Sequence, residues 1–492
     1  MDGKLRVAFI SAEAAPYAKS GELAEVAGSL PKYLASLGVE VSLFMPKYRS
    51  PGVESLDSRQ VMKNLSVPLG EGKSKAQVFR SEEGKFNLFL IDNPKYYWRE
   101  SIYGTGKGEY LDNDERFIFF NRAVLEFLLK ARMETDIIHC NNWPTALVPL
   151  LLKTLFRQKA HFRKTSSLLT MHNVAYQGEF PPESLALTGL NWDFFQNEHG
   201  SLRGRFNFLK AGAKSADVIT TVSSSYRQEI LTKKHGFGMA EILEPRRNVL
   251  FSIRNGIDYE TWNSEKDVFI SKNYSASDMK GKALCKRDLQ RELKLKVAPR
   301  TPLLGFISYL TSHKGVDILL ESVDALMNKN VALVVMGRGD DLYEKQLIAA
   351  RKKYPGRMVW EPEGVPSRLH KIFAGIDFCL IPSYSEPCGL NQMVSFRYGT
   401  VPVVRATGGL KETVSEYGAN HPRGNGFVFR EYRSEALVEA VERGLRCYGH
   451  PESWGRVRRN GMDENYSWEK AAQRYLRIYR NTLKNKTGGK SV

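Results

Sequence analysis

Two lysines and two glycine-rich turns give this sequence the residue types that bind phosphate. Lys19 lies in "YAKSGEL" and Lys314 in "YLTSHKG", and each would bring a mobile positive charge to an anionic leaving group. The turns "EPCGLNQ" (386–392) and "ATGGLKET" (406–413) place glycines where helices are predicted to begin, and backbone N–H groups at such places bind phosphate oxygens. A phosphate site is one interpretation; surface lysines and plain capped turns are the other.

Three further side chains stand beside these features. His172 ends the apolar run "SSLLTMH", and Glu386 opens the first of the two turns. A lone histidine or glutamate at such a place is as compatible with a structural role as with catalysis. Glu22 follows Gly21, where a phosphate loop would hold a small neutral residue. An acid in the first turn of a helix also favours the helix dipole, so Glu22 leaves the use of this loop open.

Strand-like and helical runs alternate through both halves of the chain. Strands that are apolar on both faces and separated by helices are typical of a parallel sheet covered on both sides. The sequence therefore predicts an α/β fold with two doubly wound, Rossmann-like domains. The predicted strands are 6–13, 39–46, 86–92, 136–140, 166–172 and 217–220 in the first half, and 302–310, 331–337, 358–362, 377–383 and 401–407 in the second.

The predicted domain boundaries follow from a stretch without clear periodicity, residues 253–267. We predict a first domain at 1–256, a second at 257–466, and a C-terminal helix with a basic tail at 467–492 that packs back on the first. No low-complexity linker is present, so the two domains are expected to face each other across a cleft. Pro31 is expected to kink or restart the helix over 23–37, because proline lacks an N–H.

Ligands of open α/β sheets bind beyond the carboxyl ends of the strands. Seven loops at such ends carry lysine, histidine, asparagine, glutamate or glycine, and we expect the functional site among them. The loops are "AKSGELAEVAG", "HCNNW", "MHNVAYQG", "YLTSHKG", "MGRGD", "SYSEPCGLNQ" and "ATGGLKET".

Composition limits the class of protein. Hydrophobic residues make up 42% of the 492 residues and charged residues 26%, which is ordinary for a globular protein. No apolar run reaches the ~18 residues of a membrane helix, and "MDGKLRVAFISAE" lacks a signal-peptide layout, so a cytoplasmic location is expected. The five scattered cysteines indicate reduced thiols. The net charge of +18 indicates either a polyanionic partner or, as we favour, a solvated basic face.

Several other families are disfavoured by missing motifs. No GxGxxG follows the first strand and no GxxxxGK[ST] is present, which argues against a dinucleotide site and a P-loop. The segment "DND" (112–114) resembles a metal-binding DxD, but it directly precedes a helical run and is equally compatible with an N-cap cluster. We predict no metal, no cofactor and no nucleic acid.

The loops taken together resemble the family of bacterial glycogen synthases and plant starch synthases. The resemblance runs almost end to end. Its motifs are "RVAFISAEAAPYAKSGELAEVAGSLPKYLASLG", "LLTMHNVAYQGEFPP", "FNFLKAGAKSADVITTVSSSY", "RNGIDYETWN", "GFISYLTSHKGVDIL", "PSYSEPCGLNQMVSFRYGTVPVVRATGGLKETV", "GFVF" and "YSWEKAAQRYL".

The resemblance implies a retaining glucosyltransferase of the GT-B type. It would transfer glucose from ADP-glucose to the non-reducing end of an α-1,4-glucan such as glycogen. By resemblance Lys19 faces the phosphates of the nucleotide sugar, His172 lies near the glucose, Lys314 stabilises the departing diphosphate and Glu386 holds the sugar. The other residues that the resemblance assigns to ADP-glucose are Gly21, Asn255, Gly389, Leu390, Thr407, Gly408 and Gly409.

The sequence departs from the family at several of these places. The change at Tyr309 weighs most, because the family has an arginine there that shares the phosphate with the lysine. Arg338, in the neighbouring loop "MGRGD", is our candidate for a compensating charge. The other departures are Glu22 for glycine, Glu25 for aspartate, Asn142 for aspartate, Val394 for an aromatic residue, and Gly364 and Val365 for Tyr-Asp.

Three functional hypotheses therefore stand. The first is an active α-glucan synthase with a rearranged phosphate site, which Lys19, His172, Lys314 and Glu386 favour. The second is a catalytically weakened or inactive paralogue that binds glucan or regulates glycogen metabolism, which Glu22, Asn142 and Tyr309 favour. The third, a sucrose synthase type of enzyme, is disfavoured by "HNVAYQGEF" and "EPCGL".

Overall fold

The computed structural model describes residues 4–106, 108–196, 200–362 and 365–486. The chain divides into two compact units. The first unit comprises residues 1–256 and 468–492, and the second comprises 257–467.

The first unit is built from alternating strands and helices. Its strands are β1 (Arg6–Ile10), β2 (Glu40–Pro46), β3 (Arg59–Leu69), β4 (Gly72–Glu83), β5 (Phe86–Asp92), β6 (Gly104–Thr105), β7 (Gly108–Glu109), β8 (Ile137–Asn141), β9 (Ser166–Met171), β10 (Glu179–Phe180), β11 (Ser201–Leu202), β12 (Arg205–Asn207), β13 (Val218–Thr221) and β14 (Leu250–Ser252). Its α-helices are α1 (Glu22–Ser36), α2 (Pro51–Glu54), α3 (Pro94–Tyr97), α4 (Asn113–Lys130), α5 (Leu147–Lys153), α6 (Ser184–Leu187), α7 (Asp193–Gln196), α8 (Phe208–Ser215), α9 (Ser224–Ile230) and α10 (Ala240–Leu243). Short 3-10 helices cover Trp143–Thr145, Ala160–Phe162 and Glu244–Val249.

The main sheet of the first unit has, among the described residues, the strand order β14-β13-β9-β8-β1-β2-β5-β4-β3. Strands from β14 to β5 pair in parallel. The pair β3 and β4 is antiparallel and was not predicted. These two strands are largely exposed and polar, so they lack the apolar runs by which the other strands were found. The chain order reverses around β1, which makes the loops after β1 and β8 the expected ligand site of this sheet.

Helix α1 begins directly after Gly21 and continues through Pro31 to Ser36. The predicted restart at Pro31 is therefore wrong. Leu23, Val26, Leu30 and Leu34 recur at helical spacing and are all buried. Their packing outweighs the one backbone hydrogen bond that proline cannot donate.

The second unit repeats the architecture on a smaller scale. Its strands are β15 (Leu303–Ile307), β16 (Ala332–Met336), β17 (Met358–Glu361), β18 (Phe378–Ile381), β19 (Val401–Arg405) and β20 (Phe427–Phe429). Its α-helices are α11 (Lys280–Glu292), α12 (Val316–Met327), α13 (Asp341–Lys353), α14 (Pro366–Gly375), α15 (Asn391–Arg397), α16 (Leu410–Thr413), α17 (Ser434–Tyr448) and α18 (Pro451–Met462), and a 3-10 helix covers Ser312–Lys314.

The sheet of the second unit is parallel throughout its described strands, in the order β17-β16-β15-β18-β19-β20. Its residues are buried on both faces, as in "LLGFI" of β15 and "FCLI" of β18. The chain order reverses around β15. The loops after β16, β15, β18 and β19 therefore lie side by side at one edge of this sheet.

The last helix, α19 (Trp468–Lys486), returns to the first unit. There it packs on α1 and β9. Trp468, Ala472, Tyr475 and Tyr479 form its buried face, and the Tyr479 hydroxyl lies 2.6 Å from Nδ1 of His139 in β8. Residues 487–492 of the predicted basic tail lie outside the described residues.

Within the described chain, none of the helices combines the length and the apolarity needed to cross a membrane.

Candidate functional site

The Lys19 loop of the first unit is held by a buried carboxylate. Oε2 of Glu13 accepts hydrogen bonds from the backbone N–H of Ser20 at 2.6 Å and of Gly21 at 2.9 Å. The Ser20 hydroxyl donates to the same oxygen at 3.0 Å. Burial raises the pKa of the Glu13 carboxyl, whereas the two backbone N–H groups act in the opposite direction. Glu13 thus fixes the backbone on both sides of the turn into α1.

Lys19 itself forms an ion pair with Glu25 in the first turn of α1. Its side chain is 47% exposed, so the ammonium group is accessible to an anion from solvent. Glu22 is exposed at the first position of α1, where an acid favours the helix dipole. The loop therefore presents a positive charge, and Glu25 rather than Glu22 is the acid that contacts it.

His172 follows β9 and is 9% exposed. Asn141 donates through Nδ2 to the carbonyl of Ile10 at 3.0 Å, so its Oδ1 is free to accept. Nε2 of His172 lies 3.0 Å from that Oδ1 and must be the protonated nitrogen. Nδ1 of His172 is then a buried acceptor, and it has no hydrogen-bond partner among the described residues. The ring therefore offers one unsatisfied lone pair to a hydroxyl donor.

Asn142 keeps a hydrogen bond that an aspartate would also make. Its Oδ1 accepts the backbone N–H of His172 at 2.7 Å. An aspartate carboxylate offers the same acceptor, so the departure at position 142 leaves this contact in place. Asn142 also has a φ of 56° and a ψ of −175°, a strained combination that residues other than glycine rarely adopt.

Burial keeps two histidines neutral, and this predicts acid sensitivity. Desolvation lowers the pKa of His172 to about 3 and lowers the pKa of His139 well below its ordinary value. Between pH 6.5 and about 3 the unfolded chain binds protons that the folded chain does not, so the free energy of unfolding should fall as pH falls. Each histidine contributes up to about 1.4 kcal/mol per pH unit. Denaturant titrations at pH 7.5, 6 and 5 measure this slope, and His172→Asn should reduce it; an unchanged slope would contradict the assignment.

The second unit brings Lys314 and Glu386 together from the loops after β15 and β18. Nζ of Lys314 donates to both carboxylate oxygens of Glu386, at 3.0 and 2.9 Å. The Ser383 hydroxyl donates to Oε2 at 3.0 Å. The side chain of Glu386 is 4% exposed and that of Lys314 is 24% exposed. The carboxylate is therefore covered, while the Lys314 side chain keeps partial access to solvent.

Gly315 explains how Lys314 reaches this position. Gly315 has a φ of 78°, and a Cβ at this position would lie 2.2 Å from the carbonyl oxygen of Pro382. Only glycine lets the two loops approach so closely. The 3-10 helix that carries Lys314 is thereby packed against the chain leading to Glu386.

The predicted phosphate turn at Gly408 and Gly409 has a structural task in this unit. Gly408 has a φ of 44°, and a Cβ there would lie 2.0 Å from the carbonyl oxygen of Glu386. The N–H of Gly409 donates to that same carbonyl at 3.0 Å, and the N–H of Leu410 donates to Thr407 at 3.1 Å. The two glycines therefore seat the turn directly on the backbone of Glu386. The helix after the turn, α16, is a single turn and contributes little dipole.

The other predicted residues of this unit lie along the same edge. Gly389 has a φ of 71° and precedes α15, whose N-cap residue is Leu390. Thr407 is buried beneath the Gly408 turn. Asn391 joins α15 to β15, since its Nδ2 donates to the carbonyl of Ile307 at 2.6 Å. Val394 is 3% exposed within α15, so the departure at this position is absorbed by the packing of the helix.

Tyr309 and Arg338 lie on adjacent, hydrogen-bonded loops. The N–H of Leu310 donates to the carbonyl of Arg338 at 2.9 Å, and the N–H of Asp340 donates to Leu310 at 3.0 Å. Tyr309 is 55% exposed, and Arg338 is also exposed. The arginine side chain therefore leaves the backbone beside the position at which Tyr309 replaces the expected arginine.

Three predicted features are not joined to these groups. Asn255 is 5% exposed in the loop after β14, and its Oδ1 has no partner among the described residues. Gly364 lies outside the described residues, and Val365 is exposed before α14. The segment "DND" does not cap α4 through Asp112, because that carboxylate binds Arg99 instead. In the described part of the chain, no three His, Cys, Asp or Glu side chains cluster as a metal site requires.

Three residues of the two loop clusters are not singled out by the sequence, although two of them, Asn141 and Ser383, lie in the predicted loops "HCNNW" and "SYSEPCGLNQ". They are Glu13, which holds the Lys19 loop, Asn141, which fixes the tautomer of His172, and Ser383, which binds Glu386. The only signal for each was a polar residue at or just beyond the end of a buried strand. Such a signal marks many residues and does not separate these three.

Two protein families match the chain, one in each unit. Residues 6–245 match the family described as "Starch synthase catalytic domain". Residues 290–460 match "Glycosyl transferases group 1".

Similar proteins extend over nearly the whole chain. "Glycogen synthase 2" of Geobacter sulfurreducens is 40% identical over 485 residues, covering 98% of this chain and all of that protein. "Glycogen synthase" of Thermodesulfovibrio yellowstonii is 38% identical, again over 98% of this chain and all of the relative.

Solved structures agree with this. The catalytic domain of starch synthase IV from Arabidopsis thaliana, bound to ADP and acarbose, has a TM-score of 0.92 at 29% identity and covers 98% of this chain and 100% of its own. A sucrose-phosphate synthase from Thermosynechococcus elongatus has a TM-score of 0.62 over the same shares of the two chains at 16% identity, which is a likeness of fold alone.

Proposed function

The chain belongs to the family of bacterial glycogen synthases and plant starch synthases, and we propose that it is an active member. In the proposed reaction it transfers glucose from ADP-glucose to the non-reducing end of an α-1,4-glucan such as glycogen, with retention of configuration. Membership makes it a hexosyltransferase with the GT-B fold. The donor, the acceptor and the residue roles are the proposed part. A cytoplasmic location stays a prediction from the sequence.

The observation that carries the proposal is the Lys314–Glu386 pair. Breaking an anomeric bond develops positive charge on the sugar and negative charge on the leaving phosphate. Glu386 is a covered carboxylate and the Lys314 side chain is partly exposed. Two hydrogen bonds between them hold the opposite charges side by side. We assign Lys314 to the diphosphate and Glu386 to the sugar.

The loops of the first unit fit the remaining needs of the same reaction. Lys19 supplies an accessible positive charge for the donor phosphates, on a backbone that Glu13 fixes. The unpartnered Nδ1 of His172 can accept a hydrogen bond from a sugar hydroxyl. Because burial keeps this imidazole neutral, His172 positions the sugar and does not serve as a proton donor at neutral pH. We also propose that Asn255 contacts the nucleotide sugar through its unpartnered Oδ1.

Donor choice tests the proposal. Purified protein is incubated with glycogen and either labelled ADP-glucose or labelled UDP-glucose, and label in the polymer is counted. We expect incorporation from ADP-glucose at a higher kcat/KM than from UDP-glucose. Faster incorporation from UDP-glucose would overturn the assignment of the donor.

We further propose that Arg338 replaces the charge missing at Tyr309. The two loops are hydrogen-bonded to each other, so Arg338 can extend over the same edge of the sheet. Arg338→Ala should lower kcat by about tenfold to a hundredfold, because one charge stabiliser of the leaving group is lost. This is less than the ~10²–10³-fold for a preorganised donor, since Arg338 is exposed and solvent screens its charge. Steady-state kinetics with ADP-glucose measures the effect.

Two variants make this test specific. Arg351→Ala removes an exposed arginine from α13 of the same unit and should leave kcat unchanged. Tyr309→Arg in the Arg338→Ala background should restore activity, because it returns an arginine to the edge of the sheet. An Arg338→Ala enzyme as active as the unchanged protein would remove Arg338 from the mechanism.

A further inference from the structure

A basic groove lies in the first unit, apart from the residues assigned to the reaction. Its volume is ≈ 560 Å³. It is formed where the edge strand β14 meets α9, the 3-10 helix Glu244–Val249 and α19. Four arginines line the groove: Arg227, Arg247, Arg474 and Arg477.

Two of the arginines sit on a rigid support. Arg474 and Arg477 are three residues apart on α19, so they project from the same side of the helix. Tyr475 and Tyr479 are fully buried on the other side, which fixes the rotation of α19 about its axis. The exposed guanidinium groups are therefore presented at a defined position.

The third and fourth arginines are attached to the backbone or to an acid. Arg227 donates to the carbonyl of Leu250 at 2.8 Å and to that of Arg247 at 3.1 Å. Arg247 forms an exposed ion pair with Glu244 at 2.9 Å. Among the described residues, by contrast, Arg474 and Arg477 form no ion pair, and the residues lining the groove include no acid. The groove is therefore positively charged, and on the α19 side no acidic side chain among the lining residues neutralises the charge of the arginines.

The groove also has an apolar wall. Phe251 on β14 is 42% exposed, and Ile478 on α19 also lines the groove. Guanidinium groups bind phosphate oxygens through paired N–H donors, and an aromatic face packs on a sugar or base ring. The volume is in the range of small-ligand sites. An inorganic anion would use the arginines but not the apolar wall.

We propose that this groove binds an organic phosphate, with Arg474 and Arg477 holding the phosphate group and Phe251 contacting the attached ring. The groove shares no lining residue with the proposed donor site, since none of its lining residues is assigned to ADP-glucose. The inference does not rest on the proposed function. α19 also packs on α1 and β9. The Lys19 loop directly precedes α1 and His172 directly follows β9, so a ligand bound in the groove would stabilise the elements next to both.

Calorimetric titration of the full-length protein tests the site. The probes are a hexose 6-phosphate, a nucleoside monophosphate, the unphosphorylated hexose and inorganic phosphate. We expect at least one of the two phosphate esters to bind more tightly than inorganic phosphate, and the hexose not to bind. Arg474→Gln combined with Arg477→Gln should weaken that ester by about tenfold or more, because two charge-assisted hydrogen bonds are lost.

Matched variants separate this site from general charge. Arg480→Gln removes an equal charge from an exposed position one turn further along α19, outside the groove, and should bind as the unchanged protein does. Phe251→Ala should weaken the ester but not inorganic phosphate. Absence of binding by both esters, equal binding by the double variant, or equal loss in Arg480→Gln would each overturn the inference.

Discussion

Replacing Lys314 with alanine should lower kcat by about 10²–10³-fold. The variant removes the charge that we assign to the departing diphosphate, and one lost electrostatic stabiliser in a preorganised site costs this much. It also leaves Glu386, which is 4% exposed, without its ammonium partner. The expected defect is therefore in kcat and in kcat/KM together, measured with ADP-glucose and glycogen at saturating acceptor.

A matched pair in the same unit provides the control. Lys329 binds Glu442 at 2.5 Å and is 29% exposed, close to the 24% of Lys314. Lys329→Ala should leave kcat within about twofold, since a partly exposed ion pair away from the chemistry contributes little. Thermal unfolding of both variants identifies any loss caused by misfolding. Equal kcat values for the two variants would contradict the role of Lys314.

Replacing His172 with alanine should lower kcat/KM by roughly 10–100-fold. The imidazole Nδ1 is a buried acceptor that awaits a hydroxyl, and the loss of one such hydrogen bond costs about 1–3 kcal/mol. His172→Gln, which can also place an acceptor there, should recover part of the loss. His161→Ala, in a 3-10 helix on the same unit, is the control.

The pH profile distinguishes the proposed role of His172 from general acid catalysis. With its pKa lowered to about 3 by burial, the group does not titrate between pH 6 and 8. The ratio of kcat/KM for the unchanged protein and His172→Gln should therefore be constant over this range. A ratio that falls along a titration curve near pH 6 to 7 would contradict a neutral, positioning imidazole.

The strands could be predicted from the sequence where they are buried, because a buried strand consists of a run of apolar residues. The parallel strands are apolar on both faces, and this pattern located β1, β2, β5, β8, β9, β13 and β15 to β19. It failed for β3 and β4, whose exposed polar residues resemble loop composition. It also failed for β14 and β20, which have three residues each. Edges of a sheet are where the periodic signal is shortest.

The sequence predicts which loops carry the residues of the candidate site, but it does not predict which side chains contact each other. Lys314 and Glu386 were expected among the loops of one sheet edge, and the structure joins them by two hydrogen bonds. Glu13 was not found, because its bonds to Ser20 and Gly21 depend on how the loop turns back. Gly408 was assigned to a phosphate, whereas its close approach to the Glu386 carbonyl already requires glycine.

The contacts in the structure also show that the departures from the family differ in their expected effect on activity. Asn142 keeps the acceptor that fixes the backbone of His172. Glu22 occupies an exposed position of the first turn of α1, where the helix dipole favours an acid. Among these departures only Tyr309 removes a positive charge, and the neighbouring Arg338 loop offers a replacement. This balance favours an active synthase over an inactive glucan-binding relative.

The most direct test of that conclusion is the product itself. The purified protein is given labelled ADP-glucose and glycogen, and the labelled polymer is then digested with an exo-acting hydrolase specific for α-1,4 linkages. The account predicts polymer-bound label that the hydrolase releases completely, and a loss of that label in Lys314→Ala. Glycogen that is bound by the protein but acquires no label from either nucleotide sugar would contradict it.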